Sequence, residues 1–343
     1  QDIATYTDPY VPATLGRNTW TGPYKFIYST YSNSLNRYVA CGGPNHDILY
    51  SNNGSTWISA YTDPVNAGYI RSTWAPELGI FLVMGINGST ILRSTDGIIW
   101  SSISFSGGAT LAYSPSLKRF VTGTHYSNDG TNWFPATTPI SGSINSVYRI
   151  VWSNKLAMFS SGYYYSFDGL IWVASDLPAE DAEYYRTWTI SWSENLQIFT
   201  ALGTITSKTT LIGIYYSAYS YNGINWKTRV EPERVFPVIQ IDYSPTLNLF
   251  VGVGGPFFFS STGFLISIDG IYWVNTNKSF APSCARGAWS PELGIMVGVD
   301  RNIQNWGLYY SRDGIYWTRV KTTNQYFYNV IWVSRIGLFV ATG

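Results

Sequence analysis

Residues 110–133 read TLAYSPSLKRFVTGTHYSNDGTNW, and the reading of this stretch decides the fold. Residues 110–113 are apolar and aromatic, 114–118 hold a Pro-led turn, and 119–122 are again β-branched and aromatic, which predicts strand, turn, strand. His125-Tyr126-Ser127 then leads into Asn128-Asp129-Gly130, where Gly accepts the positive φ of a tight hairpin, before Asn132-Trp133-Phe134 opens a fourth strand. The unit is a four-stranded antiparallel meander.

The same unit recurs down the chain. Ser-x-Asp/Asn-Gly-x-x-Trp occurs seven times, carried by Asn53-Gly54 to Trp57, Asp96-Gly97 to Trp100, Asp129-Gly130 to Trp133, Asp168-Gly169 to Trp172, Asn222-Gly223 to Trp226, Asp269-Gly270 to Trp273 and Asp313-Gly314 to Trp317. A second pattern, Trp/Tyr-Ser-Pro-x-Leu-x-x-Phe-Val-x-x-Gly, alternates with it, starting with variation at Tyr31, Trp74, Tyr113, Trp152, Trp192, Tyr243, Trp289 and Trp332. Its intervals are 43, 39, 39, 40, 51, 46 and 43 residues, and the distance from Trp332 round the ends to Tyr31 is 42. Units of this length, four strands each, predict a single all-β propeller over 1–343, with eight blades as the first expectation and seven as the alternative. Residues 1–20 end in Gly16-Arg17-Asn18-Thr19-Trp20, a degenerate copy of the first pattern, so 1–20 and 332–343 are expected to share the closing blade. With 32 Gly and 16 Pro and no sustained 3.6-residue stripe, almost no helix is expected.

Composition narrows the function. Charged residues are 12% and the net charge is +1 without a basic run, so the footprint of a nucleic-acid binder is missing. No apolar stretch is long enough to span a membrane as a helix. The two cysteines, Cys41 and Cys284, make no metal spacing, and pairing between them is left open. Two histidines, His46 and His125, form neither a metal set nor a triad, so no cofactor, metal or catalytic residue is assigned.

The seven turn copies resemble the Asp-box, or BNR, repeat of sialidases and related propellers, whose usual form is Ser-x-Asp-x-Gly-x-x-Trp; here one residue before Gly is missing. More loosely, the arrays are similar to those of bacteriophage and other viral tail or surface proteins. The resemblance implies a propeller and, in an enzyme of the family, an arginine triad, a Tyr–Glu nucleophile and an acid Asp. Arg71, Arg149 and Arg286 fit only the first role, and the Arg-Ile-Pro segment typical of the first blade is absent. The turn residues themselves (Asp96, Gly97, Trp100; Asp129, Gly130, Trp133; Asp168, Gly169, Trp172; Asp269, Gly270, Trp273; Asp313, Gly314, Trp317) read as structure, with Asp bonding local amides, Gly making the turn and Trp packing between blades.

Two sets of candidate ligand residues remain. Three residues before each second-pattern start lie Tyr28, Arg71, Thr110, Arg149, Thr189, Gln240, Arg286 and Asn329, at one level of the innermost strand. They either hold an anion at the channel mouth through Arg71, Arg149 and Arg286 with Gln240, Asn329 and Tyr28, or line a hydrated channel and bond backbone carbonyls. The second set is an excess of aromatics in the loops joining blades: Tyr184, Tyr185, Trp188, Trp306, Tyr326 and Tyr328 stand out, beside Asn, Ser and Thr, as stacking faces for glycans or for a protein surface of little charge. The expected function is non-enzymatic recognition on an extracellular or virion surface, with a sialidase-like hydrolase and a purely structural assembly subunit as the alternatives.

Overall fold

A computed structural model describes residues 26–42, 47–53, 56–62, 69–85, 90–108, 110–140, 149–176, 182–207, 213–230, 238–245, 247–254, 263–275, 284–290, 293–300, 307–314, 316–320, 329–333 and 338–342. They form strands and turns, with no helix among them. The quoted unit folds as read: β9 (Ala112–Ser114), β10 (Arg119–Val121), β11 (His125–Ser127) and β12 (Phe134–Pro135) make one antiparallel sheet in sequence order.

Before it come blade one, β1–β4 (Phe26–Ser32, Arg37–Gly42, Ile48–Ser51, Ile58–Tyr61), and blade two, β5–β8 (Tyr69–Ala75, Ile80–Gly85, Thr90–Ser94, Ser101–Ser104). After it come blade four, β13–β16 (Val151–Ser153, Met158–Ser160, Tyr164–Ser166, Val173–Ala174), and blade five, β17–β20 (Ala182–Ser193, Ile198–Ser207, Gly213–Ser220, Lys227–Val230). Blade six is β21–β24 (Val238–Ser244, Leu249–Gly254, Gly263–Ser267, Val274–Asn275) and blade seven β25–β28 (Cys284–Ser290, Ile295–Asp300, Gly307–Ser311, Thr318–Val320). A two-stranded sheet comes last, β29 (Asn329–Val333) with β30 (Leu338–Thr342).

Each first strand packs against the first strand of the next sheet, and β29 packs against both β25 and β1. Among the described residues this is a β-propeller with seven four-stranded blades, the alternative count to eight. The unit that starts at Asn329 contributes two strands, between blades seven and one. Residues 1–20, expected to complete it, lie outside the described residues.

The core is one aromatic stack repeated in blades two to six, with Met296 in place of the Phe in blade seven. Phe159 is fully buried in β14, with Trp152 opposite it on β13 and Trp172 below, at ring-centroid distances of 4.7 and 6.1 Å. The same triplet is Trp74–Phe81–Trp100, Tyr113–Phe120–Trp133, Trp192–Phe199–Trp226 and Tyr243–Phe250–Trp273 in its neighbours. In blades two to six the Trp of the turn lies on the Phe of its own blade, and Trp100, Trp226 and Trp273 also cluster with residues of the blade before, the packing between blades read from the sequence. The seam between blades is closed by the first blade's aliphatics, as where Val39, Cys41 and Ile48 cluster with Phe81 and Trp100.

Blade five departs from this regularity. Its strand β17 starts seven residues before Thr189, whereas β5, β21 and β25 start two residues before Arg71, Gln240 and Arg286. At about 3.3 Å per residue, β17 with its partners β18 and β19 projects roughly 15 Å further than the strands of those blades. The 51-residue spacing before Tyr243 holds this extra sheet.

Candidate functional site

The seven turns join third and fourth strands, on the same face as the Pro-led turns between first and second strands. Their geometry derives from residue chemistry. In blade four Ser166 Oγ donates to Asp168 Oδ1 at 3.0 Å, and the same Oδ1 accepts the backbone N–H of Leu170 and Ile171 at 2.8 and 2.9 Å. Gly169 N–H closes the turn on Ser166 Oγ at 2.8 Å. Asn222 reproduces the pattern with an amide oxygen, accepting from Ile224 and Asn225 at 3.0 and 2.9 Å. The charge is thus not required for the fold of the turn.

The turn also fastens blade to blade. Arg37 of blade one donates from Nη1 to the Asp96 carbonyl of blade two at 2.7 Å, Arg93 does the same from Nε to Asp129 at 3.1 Å, and Arg119 from Nη1 to Asp168 at 2.6 Å. In this setting partial burial raises the Asp129 carboxyl, but amide bonds from Asn132 and Thr131, with the Asn132 and Ser127 side chains, outweigh it and hold the group at about 2 against an ordinary 3.8. Asp96 and Asp168 are likewise lowered: burial raises them, and backbone amide bonds, a serine hydroxyl and a neighbouring arginine more than offset it. These acids are ionised acceptors that hold turns, not proton donors for catalysis.

The opposite face carries the loops from second to third strands and from blade to blade. Here the first strands bear a device that the sequence does not display. In five of them the register slips by one residue immediately before the ring position, between Phe26 and Tyr28, Tyr69 and Arg71, Thr187 and Thr189, Val238 and Gln240, and Cys284 and Arg286. The bulge bends the strand and re-aims the side chain at the ring position. Thr110 and Arg149 precede β9 and β13, and Asn329 opens β29 in register with Thr342. Six of the eight ring residues thus pair at an equivalent register: Tyr28 with Cys41, Arg71 with Met84, Thr189 with Leu202, Gln240 with Val253, Arg286 with Val299 and Asn329 with Thr342. Thr110 and Thr189 are buried, and Arg71 and Arg149 are half-buried. Tyr28, Gln240, Arg286 and Asn329 are placed by backbone alone. Arg149 donates from Nη1 to the Ile241 carbonyl on β21 at 3.2 Å, reaching past β17 to the sheet beyond. This is a strut between first strands, one of the two roles open to the ring.

The loop aromatics divide. Tyr184, Tyr185 and Trp188 are not in a loop: they belong to β17, where Tyr184 pairs with Thr206 and Tyr185 with Ile205. The apolar and β-branched residues of 198–206 and 213–216 continue the ladder upward, so tertiary pairing wins over the long-linker reading. Trp188 is the unpaired residue of the bulge, a position held by Ile27, Ile70 and Ile239 in other blades. Trp306, Tyr326 and Tyr328 lie outside the described residues. Strands also enter the expected loops at Tyr69, Val238 and Cys284, shortening them.

Among the described residues the other reactive groups, Cys41 and His125, are muted. Cys41 is a free thiol in the core, pushed up to about 12 by burial, which removes it as a nucleophile. His125 is lowered by burial and stands edge-on to Phe105 at 5.2 Å. Among the described residues no three His, Cys, Asp or Glu side chains gather as a metal site.

No family description matches the chain, and no curated sequence does. Among solved structures it is similar to the propeller domain of Cps50 (Swd1) from Myceliophteria thermophila, at 11% identity and a TM-score of 0.44 over 77% of this chain and 92% of that one. It is also similar to a streptogramin B lyase, at 7% identity and a TM-score of 0.49 over 93% and 91% of the two chains.

Proposed function

We propose that the chain is a non-enzymatic recognition propeller that takes its ligand on the loop face, at the sheet projecting from blade five. The observation that carries this reading is the broken repeat itself. The turns are built alike and fasten blade to blade, while among the described residues blade five alone raises its first three strands beyond the ring on the opposite face. An extension confined to one blade serves no need that all blades share, and binding segments are characteristically single and carried by a rigid frame. The extension is rich in Tyr and Thr and poor in charge, which suits the stacking and hydroxyl bonding of a neutral glycan, displayed to the outside of a cell or virion. A hydrolase of sialidase type needs an arginine triad free for its substrate, and Arg149 is engaged with a backbone carbonyl.

A glycan array and cell-envelope binding assay, with assay of released sugar, tests the reading. Binding without product release is expected, with Tyr184→Ala/Tyr185→Ala lowering affinity at least tenfold and leaving the melting temperature unchanged. Product release, or full affinity in the double variant, overturns it. A protein ligand on the same sheet gives the same loss with an envelope protein instead of a sugar.

A further inference from the structure

On the face opposite the projecting sheet, the turns expose apolar side chains that the fold does not use. The residue just before each turn Trp is Thr56, Ile99, Asn132, Ile171, Asn225, Tyr272 and Tyr316 in blades one to seven. All seven are exposed, and what the turn takes from each is its backbone N–H, bonded to the Asp or Asn side chain. Thr and Asn serve that purpose in three blades, so Ile and Tyr in the others are not demanded by the turn. The residue between Ser and Asp/Asn behaves alike: Asn52, Thr95, Asn128 and Arg312 are polar, whereas Phe167, Tyr221 and Ile268 are apolar.

Six of the seven apolar choices are grouped, Ile99 on blade two being the seventh. Phe167, Ile171, Tyr221, Ile268, Tyr272 and Tyr316 all fall on the four consecutive blades four to seven, each between 49% and 79% exposed. Outer-strand Val173 and Val274, next to their turns, extend the same arc and are also exposed. The rings are held in advance: Phe167 lies edge-on to Tyr165 at 5.7 Å, Tyr221 to Tyr219 at 6.0 Å, and the Arg229 guanidinium covers one side of Tyr272 at 4.3 Å. Anchors ordered before contact lose less freedom on binding.

We propose that this arc on the turn face of blades four to seven is the interface through which the chain pairs with a second copy of itself. Counting about 200 Å² for each large side chain, the six turn residues present roughly 700 Å² of exposed apolar surface before the valines are added. A lone patch of a few hundred Å² is already unusual on a monomer, and a stable pair buries about 800 Å² on each partner. A two-fold axis brings arc against arc, apolar against apolar, as an isologous contact requires. With a net charge of +1, two copies do not repel one another. The inference stands apart from the recognition reading, since it concerns the other face, and a pair joined this way leaves both projecting sheets free for ligand.

Sedimentation velocity on the full chain tests it, from about 1 to about 100 μM, a range that spans ordinary association strengths. A monomer–dimer equilibrium is expected, weakened at least tenfold in Tyr272→Asn/Tyr316→Asn, which installs the residue native to blades three and five and leaves the melting temperature unchanged. Ile99→Asn, outside the arc, is expected to dimerise like the parent. A parent that stays monomeric throughout, a double variant that still dimerises, or an Ile99→Asn protein that dissociates equally overturns the proposal. So does capture of the monomer by phosphatidylcholine vesicles in place of self-association. Loss of pairing with retained glycan binding separates this test from that of the recognition reading.

Discussion

The two faces of the propeller are made by opposite rules. On the turn face one set of bonds recurs, and the turns of blades two to seven are pressed against the blade before them; a Cβ added to Gly169 would clash with Val121 Cγ1. On the loop face the bulge level is repeated, and among the described residues blade five alone rises above it. Repetition marks what all blades need, and departure from it marks what one blade does for the whole molecule.

Substitution at the turns is the strongest way to break that contrast. Gly169→Ala combines a left-handed φ of +76° with a clash against the preceding blade, so a loss of about 3 kcal/mol is expected in urea denaturation. Gly79→Ala, at φ +65° with open space around the added Cβ, is expected to cost about 1 kcal/mol. Equal losses at both would show that blade contact at the turn adds nothing. Neither variant is expected to alter ligand affinity at the loop face once folded.

A smaller effect sharpens the chemical role of the acid. Asp168→Ala removes the acceptor of two amides and a hydroxyl and is expected to cost about 1–2 kcal/mol. Asp168→Asn keeps the acceptor, as Asn222 does natively, and is expected to stay within about 0.5 kcal/mol of the parent at pH 7. A full loss with Asn would mean that charge, not geometry, holds the turn.

The smallest expected effect is in acid. Asp129 is lower folded than unfolded, so its contribution is fully present above an unfolded value near 3.8 and fades as pH falls through about 2. Asp96 and Asp168 act in the same direction. The stability gap between parent and Asp129→Asn is therefore expected to close between pH 4 and pH 2, read from denaturation midpoints; a gap constant down to pH 2 would remove the carboxylate from the account.

Much of the fold is legible in residues 110–133 because the signals there are local. A Pro-led turn, the Asp-Gly hairpin and short aromatic strands act over two to four residues, and their return every forty or so residues implies a ring of meanders before any contact is known. The ring level at Arg71, Arg149 and Arg286 is likewise legible once the units are aligned. The bulge beneath it is not, since an unpaired residue such as Ile70 differs from its paired neighbours only in register. Tyr184 and Tyr185 are misread as loop residues for the same reason: a polar, aromatic segment reads as linker until Thr206 and Ile205 pair with it across the sheet.

The sequence by itself determined the all-β class, the four-stranded unit, the turn chemistry and the low charge of the surface, because each depends on neighbours along the chain. Tertiary structure alone decided that, among the described residues, seven blades are four-stranded while the Asn329 unit gives two strands, that Arg149 spans to Ile241, and that the sheet of blade five projects. It also decided that apolar turn residues from four blades lie along one arc. Those facts depend on residues tens of positions apart meeting in space, and pairing of that range leaves no mark on the local pattern of either strand.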